Sequence, residues 1–301
     1  MNNKRRLFST VLCVAALTAG LFVSGCGSDK AGGIGSVVSS VVDGGDEKAA
    51  AKLNTLIDAT NRFNSDNASF AQFQAEGLAK LKGGFAEGAI TNQPHYDRLQ
   101  ADLEKAKKEG STFKEVDAER DNVLNILNEL VPVYKDLTAY DDSKAYMNDG
   151  GAKGKELAAK YVAAVEKFDA AYAKFNETLN KVNAEQSKKQ IEKLKKDGKK
   201  GYAAAMESTL RLTTLVDNLE KAPQNADKAA VEKELSEIEA LLKSINNDRG
   251  QVLADRYNSV VGDVRQVLAD PSDSNLNNMI EGFNGYIDTY NSTTPDQFDA
   301  K

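Results

Sequence analysis

Tryptophan is absent from the 301 residues, histidine occurs once, cysteine twice and proline five times. One imidazole and two thiols cannot supply the paired-histidine or cysteine–histidine sets that hold zinc. So few prolines argue against a turn-rich β sandwich or barrel and favour helices. Cations are in deficit as well, with 39 Lys and Arg against 45 Asp and Glu. Sequence-independent nucleic-acid binding needs clustered cations to displace phosphate counterions, so no nucleic-acid partner is expected.

What is present begins with an address. Asn2, Asn3, Lys4, Arg5 and Arg6 make a polar, positive start, the stretch from Leu7 to Val23 carries no charge, and Ser24, Gly25 and Cys26 follow. A positive start, a short apolar run and small residues at its end form the pattern of a secretory signal. Val23-Ser24-Gly25-Cys26 resembles the lipobox of bacterial lipoproteins. That resemblance implies cleavage after Gly25, a diacylglycerol on the Cys26 thiol and an acyl group on the new amine, with no other cofactor. Several acyl chains make a stable membrane anchor where a single one is marginal.

Cys13 leaves with the leader, so the mature chain has neither a free thiol nor a disulfide, and its stability must come from packing. Without Lys4, Arg5 and Arg6, 36 cations face 45 anions, a mature charge of −9. Gly27 stands after the cysteine, in the place of the Asp that commonly marks inner-membrane retention. The expected location is the bacterial cell envelope, at the outer membrane facing the periplasm where the organism is Gram-negative.

Residues 26–46 are rich in Gly, Ser and Asp and read as a flexible tether behind the lipidated cysteine. The alternative is a short patch at the lipid surface through Val37, Val38, Val41 and Val42. From 47 to 301 the expectation is one helical-bundle domain. Phe113, Val116, Arg120, Val123, Leu127, Leu130, Tyr134 and Leu137 alternate steps of three and four. Ala158, Tyr161, Val165, Phe168, Tyr172, Phe175, Leu179 and Val182 do the same, as do Val231, Leu235, Ile238, Leu242 and Ile245. This seam packs helices side by side at shallow angles, whereas strands need a period of two.

The spacing and the breakers predict helices at 47–82, 95–109, 111–141, 152–198, 201–222, 225–247, 250–269 and 271–291. Asp270-Pro271 reads as a helix start, with Asp as cap and Pro in the first turn. Pro132 lies inside a strong apolar pattern and is expected to kink its helix without ending it. Whether Gly198 and Gly201 interrupt a single long rod is left open. The fold class is all-α, an elongated bundle of long, mostly antiparallel helices after an N-terminal tether.

Several segments together resemble the YiiG-like family of bacterial lipoproteins, a domain of unknown function. They are Leu53-Asn54-Thr55-Leu56-Ile57 with Asn61, Leu130-Val131-Pro132-Val133-Tyr134, Tyr140-Asp141-Asp142 with Tyr146, and Lys153-Gly154-Lys155-Glu156-Leu157 leading to Phe168. The resemblance covers most of residues 50–290 and implies a lipidated, all-helical envelope protein. It carries over no activity, cofactor or catalytic residue.

Sites for chemistry are few. His95, in Gln93-Pro94-His95-Tyr96, reads as an exposed residue in the first turn of a helix. Asp270, Ser272, Ser274 and Glu281 have the spacing of a calcium loop, but Asn275 stands where the sharp turn needs Gly, and Pro271 favours a helix. Neither a metal site nor a catalytic set is expected. Seven lysines lie between Lys188 and Lys200. They read as a solvated helix end at the negative pole of the dipole, with contact to anionic head groups as the alternative. The aromatic stripe Tyr134, Tyr140, Tyr146, Tyr161, Phe168, Tyr172 and Phe175 has core spacing. Tyr140 and Tyr146 fit it least, and with Asp141 and Asp142 they mark the first place to look for a ligand.

Three functions remain open at this point. The leading one is a non-enzymatic interaction module, anchored through Cys26 to the membrane and contacting another envelope protein or a cell-wall component. The second is a periplasmic binder of small molecules or glycans with a pocket between helices. The third is an envelope hydrolase with carboxylate catalysis.

Overall fold

The computed structural model describes residues 46–300 except 69, 70, 92, 111 and 112, so the expected leader, Gly25, Cys26 and the expected tether up to residue 45 lie outside the described residues. Among the described residues every regular element is helical. In order they are α1 (Asp46–Ala68), α2 (Ala71–Lys82), α3 (Tyr96–Glu109), α4 (Lys114–Asp142), α5 (Tyr146–Asp149) and α6 (Ala152–Lys196). Then come α7 (Lys200–Lys221), a 3-10 turn (Pro223–Asn225), α8 (Lys228–Lys243), α9 (Asp248–Ala269), α10 (Asp273–Asn291) and α11 (Pro295–Phe298). No described helix is long and apolar enough to cross a membrane.

The expected helices are present with three differences, and the question left open for the rod is answered. The segment 47–82 is two helices. The rod does break: Gly198 sits at φ +78°, a left-handed conformation that only glycine adopts at little cost, and α6 ends there. The helix expected from 225 starts at Lys228, because Asp227 caps it by accepting from the amides of Ala229 and Ala230. The last long helix is capped by Ser272, whose Oγ accepts from Asn275 N, while Asp270 closes the preceding helix. Pro132 is exposed, and α4 runs through it, since the carbonyl it leaves unbonded can face water.

The described chain divides into two compact units, 48–182 and 183–301, with the boundary inside α6. In the first unit, ion pairs and polar contacts record the register. Thr55–Glu109, Arg62–Asp102 and Asp66–Arg98 advance along α1 as they retreat along α3. Gln100–Asn128 and Lys107–Asp121 relate α3 to α4 in the same antiparallel sense. Glu129–Lys167 and the ring pair Tyr134–Tyr161 do so for α4 and α6. The seam residues Val116, Val123, Leu127, Leu130 and Leu137 are all buried, as the spacing required. Arg120 shares that seam and is only 4% exposed. It is tolerated because Asp117 and Asp121 neutralise it at 2.8 and 2.9 Å.

The centre of this unit is aromatic. Phe168 of α6 stacks on Tyr172 at 5.2 Å and meets Tyr96 of α3 edge-on at 5.1 Å and Phe63 of α1 at 5.8 Å.

The second unit contains the C-terminal part of α6 with α7 to α11. Tyr286 of α10 shares hydrogen bonds of 3.1 Å with Ser208 and Thr209 of α7, and Tyr257 of α9 donates to the Leu235 carbonyl of α8 at 2.5 Å. Arg211 ties α7 to α8 through Glu234, at 2.7 Å, and Glu237. The tail closes one end. Phe298 is buried against Tyr202 and Tyr290, and Asp299 accepts from the first amides of α7, Gly201 N at 2.7 Å and Tyr202 N at 3.4 Å. Asn247 holds the carbonyls of Gln297, Phe298 and Ala300.

Phe168→Ala is expected to destabilise the first unit by about 3–5 kcal/mol, the cost of emptying a fully packed phenylalanine site. Chemical denaturation measures it. A loss under about 1 kcal/mol would mean that the neighbouring rings close the void or that Phe168 is not central to the core.

Candidate functional site

The corner between α4 and α6 contains the four residues singled out for a ligand. It is built by a sharp reversal: Lys144 has φ +52°, and Gly150 and Gly151 have φ +62° and +83°. Tyr140 is buried and Tyr146 half-buried, and both rings close on Phe85 at 5.1 and 5.3 Å. Tyr140 therefore belongs to the interior, although its position fitted the seam poorly. The reason is Phe85, which comes from the turn after α2 and lies 55 residues away in sequence.

Close packing continues into α6. A Cβ on Gly154 would lie 2.5 Å from Tyr140 Cε1 and 2.6 Å from Phe85 Cγ, so only glycine lets the helix approach the two rings.

Several polar groups of the corner bind one another. Tyr140 donates to Asp149 at 2.6 Å, and the other contacts of Asp149 are the amides of Gly151 at 2.9 Å and Lys153 at 3.1 Å. Burial and this bond hold the Tyr140 phenol above its ordinary range, and the bond from Tyr140 with those from the backbone holds Asp149 below its own. Asp141 accepts from Gly88 N at 2.9 Å, which fastens the turn after α2 to the corner. The Glu87 carboxylate beside Tyr146 pushes its phenol up to about 12. Asp142 is exposed, and Met147 at the tip is 73% exposed. The structure thus brings Tyr140, Asp141 and Tyr146 together but leaves Asp142 outside. The arrangement is a hydrogen-bonded corner whose exposed surface runs over residues 142–144 and 147–150.

A second polar cluster lies deeper in the same unit and was not singled out in the sequence. Tyr161 donates to Gln93 at 2.8 Å, and Gln93 donates to the Ala89 carbonyl. Burial pushes Asp169 up to about 6, helped by Glu166 and opposed by Lys82. Lys82 and Glu166 pair with each other at 2.7 Å. Tyr96 and Tyr161 are each raised first by burial and also by the charge of Asp169.

His95 is exposed at the start of α3, and its amide donates to Asn67 at 3.3 Å. The calcium-like spacing falls on a helix start, where Asn275 donates to the Asp270 carbonyl and Asp270 Oδ2. No group of three or more candidate metal ligands is found among the described residues. In the lysine run Ile191 and Leu194 are buried, Lys195 pairs with Glu192 and Glu207, and Lys199 pairs with Asp296. A groove of about 420 Å³ lies beside the 3-10 turn, between Leu215, Leu219 and Ala222 of the α7 end and Ala230 and Val231 of α8.

A family model described as "Protein of unknown function (DUF3829)" matches residues 47–252. No curated protein and no solved structure matches the chain.

Gly154→Ala is expected to destabilise the first unit by about 1–3 kcal/mol, the usual cost of forcing a methyl group into a filled site. Urea denaturation reads this directly. A change within about 0.5 kcal/mol would mean that Phe85 and Tyr140 give way, so that the corner is adaptable and not rigid.

Proposed function

We propose, for a chain that belongs to the DUF3829 family of proteins of unknown function, the role of a lipid-anchored protein of the bacterial envelope. Within that family it is YiiG-like, and its helical part is a non-enzymatic module that contacts another envelope protein or a cell-wall component. The observation that carries this reading is the setting of Cys26: a positive start, an uncharged stretch, then Val23-Ser24-Gly25 directly before the thiol. A diacylglycerol and an N-acyl chain on Cys26 hold the protein to the membrane with more than one acyl tail.

The corner at 140–154 supports the non-catalytic part of the reading. Its carboxylates accept from the corner's own phenol and turn amides, so Asp141 and Asp149 are occupied in holding the fold. The groove beside the 3-10 turn favours a second reading, a periplasmic binder of small molecules or glycans, since Leu215, Leu219 and Val231 offer an apolar floor with Asn218 and Asn225 at its margin.

Cys26→Ser is expected to abolish membrane attachment while the helical domain stays folded, because Cys26 precedes every helix expected from the sequence and acts through its thiol. Cell fractionation and circular dichroism are the measurements. A variant that still sediments with membranes after its leader has been removed would sink the anchor. Crosslinking in cells followed by pull-down tests the contact role. A recurrent crosslinked envelope protein is the expected result, and retention of a small molecule through purification would favour the second reading.

A further inference from the structure

Glu220 occupies a position where the pattern of α7 calls for an apolar side chain. Leu212 and Val216, eight and four residues earlier on the same face, are fully buried. Both carboxyl oxygens of Glu220 are buried without a hydrogen-bond partner. An ionised carboxylate so placed has lost its hydration and gained nothing in return, which is among the most costly arrangements in a protein. Glu220 also sits in the last turn of α7, beside the unpaired carbonyls that form the negative end of the helix dipole.

The surrounding charges do not relieve it. Asp217 opposes ionisation, and Lys221, which favours it, is already paired with Asp217 at 2.6 Å. Several charges on the elements packed on α7 are engaged elsewhere. On α8, Glu234 and Glu237 are held by Arg211, and Glu232 holds Arg265 of α9. Asp270 accepts from Asn275, Asp273 of α10 has a partner of its own, and Asp296 of α11 pairs with Lys199. Among the described residues, no charged group on those elements acts on Glu220.

We propose that Glu220 is a proton switch for the corner formed by the end of α7, the 3-10 turn and the start of α8: the protonated acid keeps the corner closed, and loss of the proton loosens it. The corner is suited to such a device. Beyond Glu220 the helix stops at Lys221, the chain turns through Pro223, and α8 restarts on the Asp227 cap. One side of the α7 end lines the groove through Leu215 and Leu219, so a shift of that turn toward water alters the groove.

Burial and Asp217 push the Glu220 carboxyl up to about 7 from an ordinary value of 4.5, so both forms are populated near neutral pH. The opened corner releases a proton that the closed corner holds, and rising pH therefore favours opening. The effect grows between the two values and levels off above the higher one. For an opening that restores the ordinary value, linkage gives about a 25-fold larger opening constant at pH 8 than at pH 5.5.

Native-state hydrogen exchange of the full chain, expressed as protection factors so that the intrinsic pH dependence of exchange is removed, tests this at residues 216–231. A local readout is needed because Asp169, raised to about 6, contributes its own pH dependence in the other unit. Protection of these amides is expected to fall about 25-fold in the wild type between pH 5.5 and 8 and to stay level in Glu220→Gln and Glu220→Leu. An equal fall in either variant, or no fall in the wild type, overturns the switch. Carbon-13 NMR titration of the Glu220 carboxyl in the wild type stands independent of any variant. A midpoint near 7 supports the proposal, and one near the ordinary carboxylate value overturns it.

Discussion

The first unit depends on a column of rings to which three helices contribute. Phe63 comes from α1, Tyr96 from α3, and Phe168 and Tyr172 from α6, with centroids 5.1–6.1 Å apart and mostly edge-on or tilted. Tyr134 of α4 joins through Tyr96 and Tyr161. Such rings bury large areas and interlock with defined geometry, so sliding one helix by a turn would break several contacts together. The register of the antiparallel helices follows from this, and so do the pairs Arg62–Asp102 and Glu129–Lys167 on their outer faces. Those pairs are largely exposed and individually worth little. They record the register that the rings impose.

The second unit meets the same demand differently. Two of its buried phenols are satisfied locally, Tyr286 by two hydroxyls of α7 and Tyr257 by a carbonyl of α8. The tail replaces a missing cap. Asp299 accepts from the first amides of α7, whose own cap position, Lys199, makes no side-chain cap bond. The carboxyl of Glu220 differs, because both of its oxygens are buried without a hydrogen-bond partner, where buried polar groups ordinarily find one.

Charge plays two separate roles in the molecule. Arg120 is buried and neutralised by two aspartates on its own helix, a solution that costs no long-range geometry. The 140–154 corner uses carboxylates as backbone partners, so that Asp149 acts as the cap of α6 and Asp141 as a bolt to the turn at Gly88. Chemistry-bearing residue types at these places serve folding first. What they leave to solvent is a small surface around Asp142 and Met147.

The helical class, the seams on α4, α6 and α8, and the passage of α4 through Pro132 were legible in the sequence by itself, because a period of 3.6 and a local breaker act over one or two turns. The pattern around Cys26 is equally local, and there the reading rests on sequence alone. Only the tertiary structure decided which seam meets which. Phe63, Tyr96 and Phe85 became core partners of rings more than 50 residues away, Tyr140 moved inside, and the chain divided within α6 at a point that no residue marks. The same holds for the tail at Phe298 and for Glu220, whose spacing placed it on a buried stripe but whose lack of partners depends on what packs above it. Periodicity specifies a face and not its neighbour, and the chemistry of a buried group is set by the neighbour.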